Sequence, residues 1–212
     1  MKRMTPYFLA VVFLVLGVAC GDVGHDDHSG HDHHGHDHHA NEVFTTVTLT
    51  FTPVSGGEAI VASWADPEAD GSPVIDPINL TNDETYAVSV TFFNELEDPA
   101  EEMTPEVLDE DDEHQVFFTG SAVAGAASAS ADAIVEQAYD DADGNGFPLG
   151  LSNTFQAVAA GTGTMTVTLR HMPTVNGVTV KTATLAADVI ADGITALPGS
   201  TDINVDFEVT VQ

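Results

Sequence analysis

The sequence predicts an all-β fold, a single antiparallel β-sandwich of the immunoglobulin-like or Greek-key type with about seven strands. Three observations predict it. Apolar residues alternate with threonine or other polar residues in several segments, which is the pattern of half-buried strands. Clusters of Gly, Pro, Asn and Asp separate these segments, and helical periodicity is sparse. The domain is expected to span residues 42–212, a length sufficient for one hydrophobic core.

The strands are predicted from residues that share one face of each alternating segment. Four segments show the pattern most clearly, with inward residues Val43, Val47, Leu49 and Phe51 in the first, Tyr86, Val88, Val90 and Phe92 in the second, Met165, Val167 and Leu169 in the third, and Ile203, Val205, Phe207, Val209 and Val211 in the fourth. Shorter strands are expected at Glu58–Ala65, His114–Thr119 and Asp132–Tyr139. A turn or two of helix is expected only at Glu101–Asp111 and Thr182–Ala191.

An export signal is predicted at residues 1–19. Two basic residues precede an unbroken apolar run, Tyr7–Leu16, which suits a signal peptide and is too short to span a bilayer as a permanent helix. The stretch LGVAC, ending at Cys20, resembles a bacterial lipobox, whose cysteine is diacylated and becomes the mature N-terminus. An ordinary small-x-small cleavage site at Gly17–Ala19 is the alternative. Cys20 is the sole thiol of the chain, which favours lipidation.

The expected location is therefore the bacterial cell envelope, with the protein held by a lipid anchor. Gly21, after the cysteine, lacks the acidic side chain often linked with inner-membrane retention, so the outer membrane is favoured. Acyl chains of this kind hold a protein to a membrane durably, because each buried methylene contributes about 0.8 kcal/mol.

The charge of the chain excludes several classes of partner. All 34 acidic residues follow Cys20, whereas Arg170 and Lys181 are the only lysine or arginine residues there. Such a surface repels nucleic acid and anionic lipid headgroups. Without a second cysteine the domain has no intrachain disulfide, so its stability is expected to come from the core or from bound cations.

The most informative segment is a tether at residues 20–41 that is rich in histidine. It holds eight of the ten histidines, His25, His28, His31, His33, His34, His36, His38 and His39, interleaved with Asp26, Asp27, Asp32 and Asp37. Neutral imidazole is a preferred ligand of zinc, nickel and copper(II), and a nearby carboxylate can bind the ion or orient the ring. With almost no apolar residues, the segment is expected to be disordered and to offer overlapping, rapidly exchanging sites. A hydrophilic spacer with incidental histidines is the alternative.

A second candidate site is the loop DADGNG at residues 141–146. Asp141, Asp143 and Asn145 match the opening of a calcium-binding loop, in which oxygen ligands alternate along the chain. An EF-hand would carry a bidentate glutamate at the twelfth position, where this chain has Ser152. A calcium clip within a β-loop and a plain polar turn both remain open.

Other residues give weaker functional signals. The acidic run at residues 95–113 is expected to be a solvated connection between strands, with a low-affinity cation reservoir as the alternative. His114 and His171 lie on different predicted strands and are interpreted as structural histidines, since a two-histidine site with Glu113 would need them to be adjacent. The chain has no nucleophile elbow, glycine-rich phosphate loop, CxxC or HExxH motif, which predicts a non-enzymatic domain.

One resemblance covers most of the mature chain. It rests on the segments LGVAC, HDHHGHDHH, DEDDEHQVFF, DADGNGFPLGL and GTMTVTLRHMP. These segments resemble small bacterial lipoproteins that carry a His/Asp-rich mature N-terminus before an acidic β-domain. Some of those proteins are catalogued as "type 1 periplasmic binding fold" proteins, a name that implies repeated βαβ units, whereas the period-two pattern here predicts a sandwich. The resemblance implies export and metal handling.

The function expected from the sequence is capture or buffering of divalent transition metal ions at the cell envelope, zinc foremost, with nickel and copper(II) also allowed. The tether would concentrate the ions and release them to an outer-membrane metal importer. The alternative is a structural or adhesive surface protein whose β-domain binds calcium or a partner, with the histidine tract secondary.

Overall fold

A computed structural model describes residues 42–212 of the chain. The export signal, Cys20 and the histidine tract with its aspartates lie outside the described residues. Within the described range, no helix is both long enough and apolar enough to cross a membrane.

From residue 42 to residue 212 the regular structure is mostly β. The strands are β1 (Thr46–Pro53), β2 (Ile60–Ala65), β3 (Val74–Ile75), β4 (Ile78–Leu80), β5 (Thr85–Asn94), β6 (Glu101–Glu102), β7 (His114–Thr119), β8 (Val123–Gly125), β9 (Ser128–Ala129), β10 (Val135–Tyr139), β11 (Ser152–Ala157), β12 (Gly161–His171) and β13 (Ser200–Val211). The helices are α1 (Thr104–Asp109) and α2 (Leu185–Asp192), and a single 3-10 turn covers Ile194–Ala196.

The strands form two sheets. The larger has the order β3-β2-β1-β5-β11-β10-β8-β9, with β6 also paired to β5, and the smaller has the order β4-β13-β12-β7. The pairs β8–β10 and β4–β13 are parallel, and the other described pairs are antiparallel. The predicted all-β sandwich is confirmed. Its strands outnumber the seven expected, mainly because short strands extend the edges.

The core lies between the two sheets and follows the predicted alternation. Val47, Leu49 and Phe51 of β1 are fully buried, as are the inward residues of the other three long predicted segments within a few per cent. Phe118 of β7 and Phe155 of β11 meet edge-to-face across the sandwich, with ring centroids 5.2 Å apart. Fully burying a side chain of this size contributes about 1.5–3 kcal/mol, so the alternating faces hold the sheets together.

The six-residue strand β11 was not predicted, although it lies in the middle of the larger sheet. β11 pairs with β5 on one side and β10 on the other. Its buried residues are Asn153, Phe155 and Ala157, none of which is β-branched, unlike many of the buried residues that marked the other strands. The Asn153 amide is satisfied inside the core, because its oxygen accepts a hydrogen bond from Gln137 Nε2 at 2.9 Å.

The two expected helical segments are confirmed, and α2 has a packing role. α2 and the loop after it cover the outer face of β7, where Phe117 is fully buried against Leu185 and Val189. The smaller sheet is thus covered on both faces around β7. His114, the first residue of β7, is fully buried.

Candidate metal centre

The two histidines of the described chain meet at one end of the smaller sheet. His114 is the first residue of β7 and His171 the last residue of β12, and the antiparallel register pairs them directly. Their rings stack, with centroids 4.5 Å apart and an interplanar angle of 17°. By the alternation of the strands they share the face of the core residues Val116 and Leu169. The pair therefore continues the inner face of the sheet beyond its apolar part.

Two carboxylates complete a first group of ligand atoms. Glu42 places its Oε2 3.3 Å from His114 Nε2 and 3.7 Å from His171 Nδ1. Asp202 lies in β13 at a register shift against β12, which leaves it opposite no residue. Such a bulge re-aims a side chain, and here it brings Asp202 to the histidines. The ligand atoms of the four residues all lie within 4.8 Å of one another.

The hydrogen bonds of His114 fix which ring nitrogen faces the carboxylates. Nδ1 lies 3.2 Å from the backbone carbonyl oxygen of Glu110, which can only accept, so Nδ1 carries a proton. Nε2 then meets the Glu42 carboxylate either with a second proton or with a lone pair. Two acceptors 3.3 Å apart repel each other unless a cation lies between them, and that cation is a proton or a metal ion. Metal-binding histidines commonly donate their far N–H to a carbonyl in this way.

A second group of carboxylates faces the other nitrogen of His171. Its Nε2 lies 3.5 Å from Glu113 Oε2 and 3.8 Å from Glu110 Oε2. The other oxygen of Glu113 accepts the backbone N–H of Thr174 at 3.0 Å, which holds the carboxylate in place. Ligand atoms of Glu110, Glu113 and His171 again lie within 4.8 Å of one another. His171 thus belongs to both groups.

Burial and charge act in opposite directions on the pKa values of this cluster. For His114, burial lowers the pKa, but the hydrogen bond and charge of Glu42 outweigh it and the pKa is raised. For Glu42, burial raises the pKa, but the two histidines outweigh it and the pKa is lowered. Burial raises the pKa of Asp202, and the nearby positive charges offset only part of that effect. Without a metal ion, the cluster therefore holds protons that a metal ion would displace.

Arg170 holds the loop before β13 and does not pair directly with the cluster. Its guanidinium donates hydrogen bonds to the backbone carbonyl oxygens of Leu197, Pro198 and Gly199 and to the hydroxyl of Thr201. The charge of Arg170 nevertheless acts on Asp202 and lowers the pKa of that carboxyl in part. Because Asp202 follows Thr201 directly, these bonds fix the start of β13 beside His171.

The carboxylates of the candidate calcium loop are already engaged within the protein. Asp143 Oδ1 accepts two backbone N–H groups of the turn, and its Oδ2 lies 3.1 Å from Lys181 Nζ, with both side chains fully buried. Asp141 likewise accepts two backbone N–H groups. A buried ammonium thus stands beside the carboxylate that calcium would need. The geometry at Asp141, Asp143 and Asn145 favours the polar turn.

The chemistry of the histidine cluster suits a divalent ion of the zinc type. Such an ion binds nitrogen and carboxylate oxygen at about 2.0–2.2 Å, so the ligands of a tetrahedral site lie roughly 3.4 Å apart. The distances of 3.3 and 3.7 Å around Glu42 are close to that spacing. An imidazole lone pair lies in the plane of its ring, so one ion shared by both rings would require one ring to turn well away from the present interplanar angle of 17°. Glu42, His114, His171 and Asp202 thus form a possible metal-ligand group.

The sequence indicates some of these residues as candidate ligands, but it does not show that they lie close together in the fold. His114, His171 and Glu113 were named, whereas Glu42 and Asp202 were not singled out and Glu110 was only part of the acidic run. One signal was present in the sequence: each histidine stands at the end of a predicted strand. The missing information was that the two strands are neighbours in matching register.

Comparison of the chain with protein-family models, with curated proteins and with solved structures finds no match in any of the three. The function of the cluster is therefore inferred from its own geometry and charge.

Proposed function

We propose that the protein is a lipid-anchored envelope protein that captures or buffers divalent transition metal ions, zinc foremost. The observation that carries the proposal is the meeting of Glu42, His114, His171 and Asp202 at one end of the sandwich. The histidine tract at residues 25–39 supports the same function, because it supplies ligands of the same kind on the same chain.

The ligand types favour borderline cations over the alternatives. Two imidazole nitrogens and two carboxylate oxygens suit zinc, nickel and copper(II), while copper(I) prefers thiolate or thioether sulfur. Calcium takes six to eight oxygen ligands, so a group with two nitrogens is a poor calcium site. Nickel and copper(II) compete at such a site, and copper(II) binds most tightly in general. Zinc is proposed first because the spacing around Glu42 fits a tetrahedral ion.

The charge of Arg170 acts on Asp202 without forming a direct ion pair with it. The described residues include only Arg170 and Lys181 as lysine or arginine, and neither lies within ion-pair distance of Glu42, Glu113 or Asp202. Half-buried carboxylates that gather without such a partner gain electrostatic stabilisation from a bound cation. A divalent ion supplies that charge more effectively than a proton on one ring.

We expect the two sets of ligands to have different roles. The tract offers many overlapping pairs and should bind several ions weakly with fast exchange, whereas the cluster offers one fixed set. A fixed set discriminates better by geometry, so the cluster should determine which ion is retained. An outer-membrane metal importer would be the receiver of the released ion.

Equilibrium dialysis of four versions of the mature chain tests the proposal. They are the parent, a tract variant with all eight tract histidines changed to asparagine, the cluster variant Glu42→Gln with His171→Asn, and the combination of both. We expect the tract variant to keep tight zinc binding and the combined variant to lose it. Glu208→Gln, an exposed carboxylate on β13, is the matched control. Equal zinc uptake by the parent and the combined variant would contradict the proposal.

Growth under metal limitation separates this function from a structural or adhesive one. A strain lacking residues 25–39, or carrying the cluster variant, should grow more slowly when zinc is scarce. Unchanged growth of both strains, together with intact adhesion, would instead support the structural alternative. Cys20→Ser should release the protein from the membrane fraction if Cys20 is acylated.

A further inference from the structure

We propose that the cluster holds two metal ions bridged by the imidazole of His171. The first ion would be bound by Glu42, His114, Asp202 and His171 Nδ1, and the second by Glu110, Glu113 and His171 Nε2. This inference rests on the proposed function and adds a second ion and a bridging ligand to it.

The placement of His171 between two sets of ligands carries the inference. Its Nδ1 lies 3.7 Å from Glu42 Oε2, and its Nε2 lies 3.5 Å from Glu113 Oε2 and 3.8 Å from Glu110 Oε2. The two nitrogens of an imidazole point away from each other, so one ion cannot take both. Each nitrogen therefore has its own carboxylate group within ligand spacing.

The second group combines its negative charge with a buried ring nitrogen that has no hydrogen-bond partner. His171 Nε2 is buried from water and has no hydrogen-bond partner, although acceptor oxygens stand 3.5 and 3.8 Å away. A nitrogen at that distance from two carboxylates is poorly placed for a hydrogen bond and well spaced for a shared ion. The bond from Thr174 N–H to Glu113 Oε1 leaves Oε2 directed at the ring.

The charges and protons of the loaded centre balance closely. Two divalent ions bring four positive charges, and Glu42, Asp202, Glu110 and Glu113 bring four negative charges once all are ionised. To bind an ion through both nitrogens, His171 gives up its remaining N–H proton to the solvent and becomes an imidazolate with one negative charge. Any proton on His114 Nε2 or on Asp202 is released to the solvent when the first ion binds. The filled centre then carries a net charge of one negative unit, compared with four negative units for the four ionised carboxylates alone.

The experiment uses the mature chain with the eight tract histidines changed to asparagine, so that bound ions report on the folded domain. Bound zinc per protein is measured by dialysis and elemental analysis. We expect two zinc ions in this background and one in the variant Glu110→Gln with Glu113→Gln. Glutamine keeps the oxygen that accepts the Thr174 N–H, which preserves the loop. The matched control is Glu101→Gln with Glu102→Gln, two exposed carboxylates of the same acidic run, and should keep two ions.

Copper(II) tests the bridge itself. Two copper(II) ions joined by an imidazolate couple their spins, so the electron paramagnetic resonance signal of the doubly loaded background should be strongly reduced. The Glu110/Glu113 variant should instead give the full signal of one isolated ion. Titration calorimetry in buffers of different ionisation enthalpy should also detect the proton released by His171 on binding the second ion.

The outcomes separate the inference from the function on which it rests. One ion in both the background and the Glu110/Glu113 variant would overturn the second site, and two uncoupled copper ions would overturn the bridge. In either case the proposed metal-binding function would stand. No bound ion in the background would overturn the folded site as a whole.

Discussion

Zinc should stabilise the folded domain through Glu42, whose carboxylate lies 3.3 Å from His114 Nε2 and 3.7 Å from His171 Nδ1. A ligand that binds only the folded state at about 100 times its dissociation constant adds about 2.7 kcal/mol to the free energy of unfolding. For a domain of this size each kcal/mol raises the melting temperature by about 2–4 °C, so zinc should raise it by about 5–11 °C. The tract variant is the right background, because tract histidines would also take up zinc and lower the free zinc concentration on which the effect depends.

Glu42→Gln removes the charge that both rings approach and keeps the shape of the side chain. If the affinity falls about 100-fold, the same zinc concentration adds only about 0.4 kcal/mol, and the melting temperature rises by about 1–2 °C. The assay is thermal unfolding followed by the fluorescence of Trp64, the single tryptophan, in zinc and in a chelator. Glu208→Gln should respond to zinc like the background. The reasoning is refuted if zinc stabilises the Glu42→Gln variant as much as the background.

Three more outcomes follow from the same contacts. In a chelator, the stability that His114 contributes is fully present below pH 6.5 and is lost as the pH rises through its raised pKa. Saturating zinc should instead stabilise the domain more at higher pH, because protons compete with the ion for the ligands. Urea unfolding with and without zinc across that pH range checks the sign of both effects. Lys181→Met should lower the free energy of unfolding in urea by about 3–5 kcal/mol, because it leaves the buried Asp143 carboxylate without its ammonium partner. Adding Asp143→Asn to this variant should recover most of the loss. Equal losses in the single and the double variant would contradict the pairing. Gly199→Ala should cost about 1–3 kcal/mol and weaken zinc binding, because Gly199 has φ of +80° and a Cβ there would collide with the His171 carbonyl oxygen. Gly71→Ala, with φ of +81° and open space around it, isolates the backbone part of that cost.

Period-two alternation was enough to predict the sandwich, because the sequence of each long strand itself shows which of its side chains are buried. Val88 and Val90 face inward for the same local reason that Val205 and Phe207 do. β11 was not predicted because its buried positions include Asn153, a polar residue whose amide is satisfied by Gln137 on the neighbouring strand and by the Gly150 carbonyl oxygen. When a strand buries a polar side chain whose hydrogen-bond partner lies on another strand, its own sequence does not show the alternating pattern.

The cluster could not be predicted from the sequence for a related reason. Whether His114 lies opposite His171 depends on which strands pair and in what register, and both are set by the packing of the whole core. Asp202 depends further on an irregularity in the β12–β13 ladder, which no alternating pattern indicates. Glu42 lies before the first strand, and its position follows from where β1 enters the sandwich. Local chemistry suggested ligands, and only the tertiary fold brought them together.

The position of Glu42 has a consequence for how the domain comes apart. Glu42 leads into β1 of one layer, while His114, His171 and Asp202 belong to the other, so a bound ion would act as a cross-link between layers in a domain that has no cysteine. Separation of the layers would first require the ion to leave, which makes metal supply a control on the lifetime of the native state.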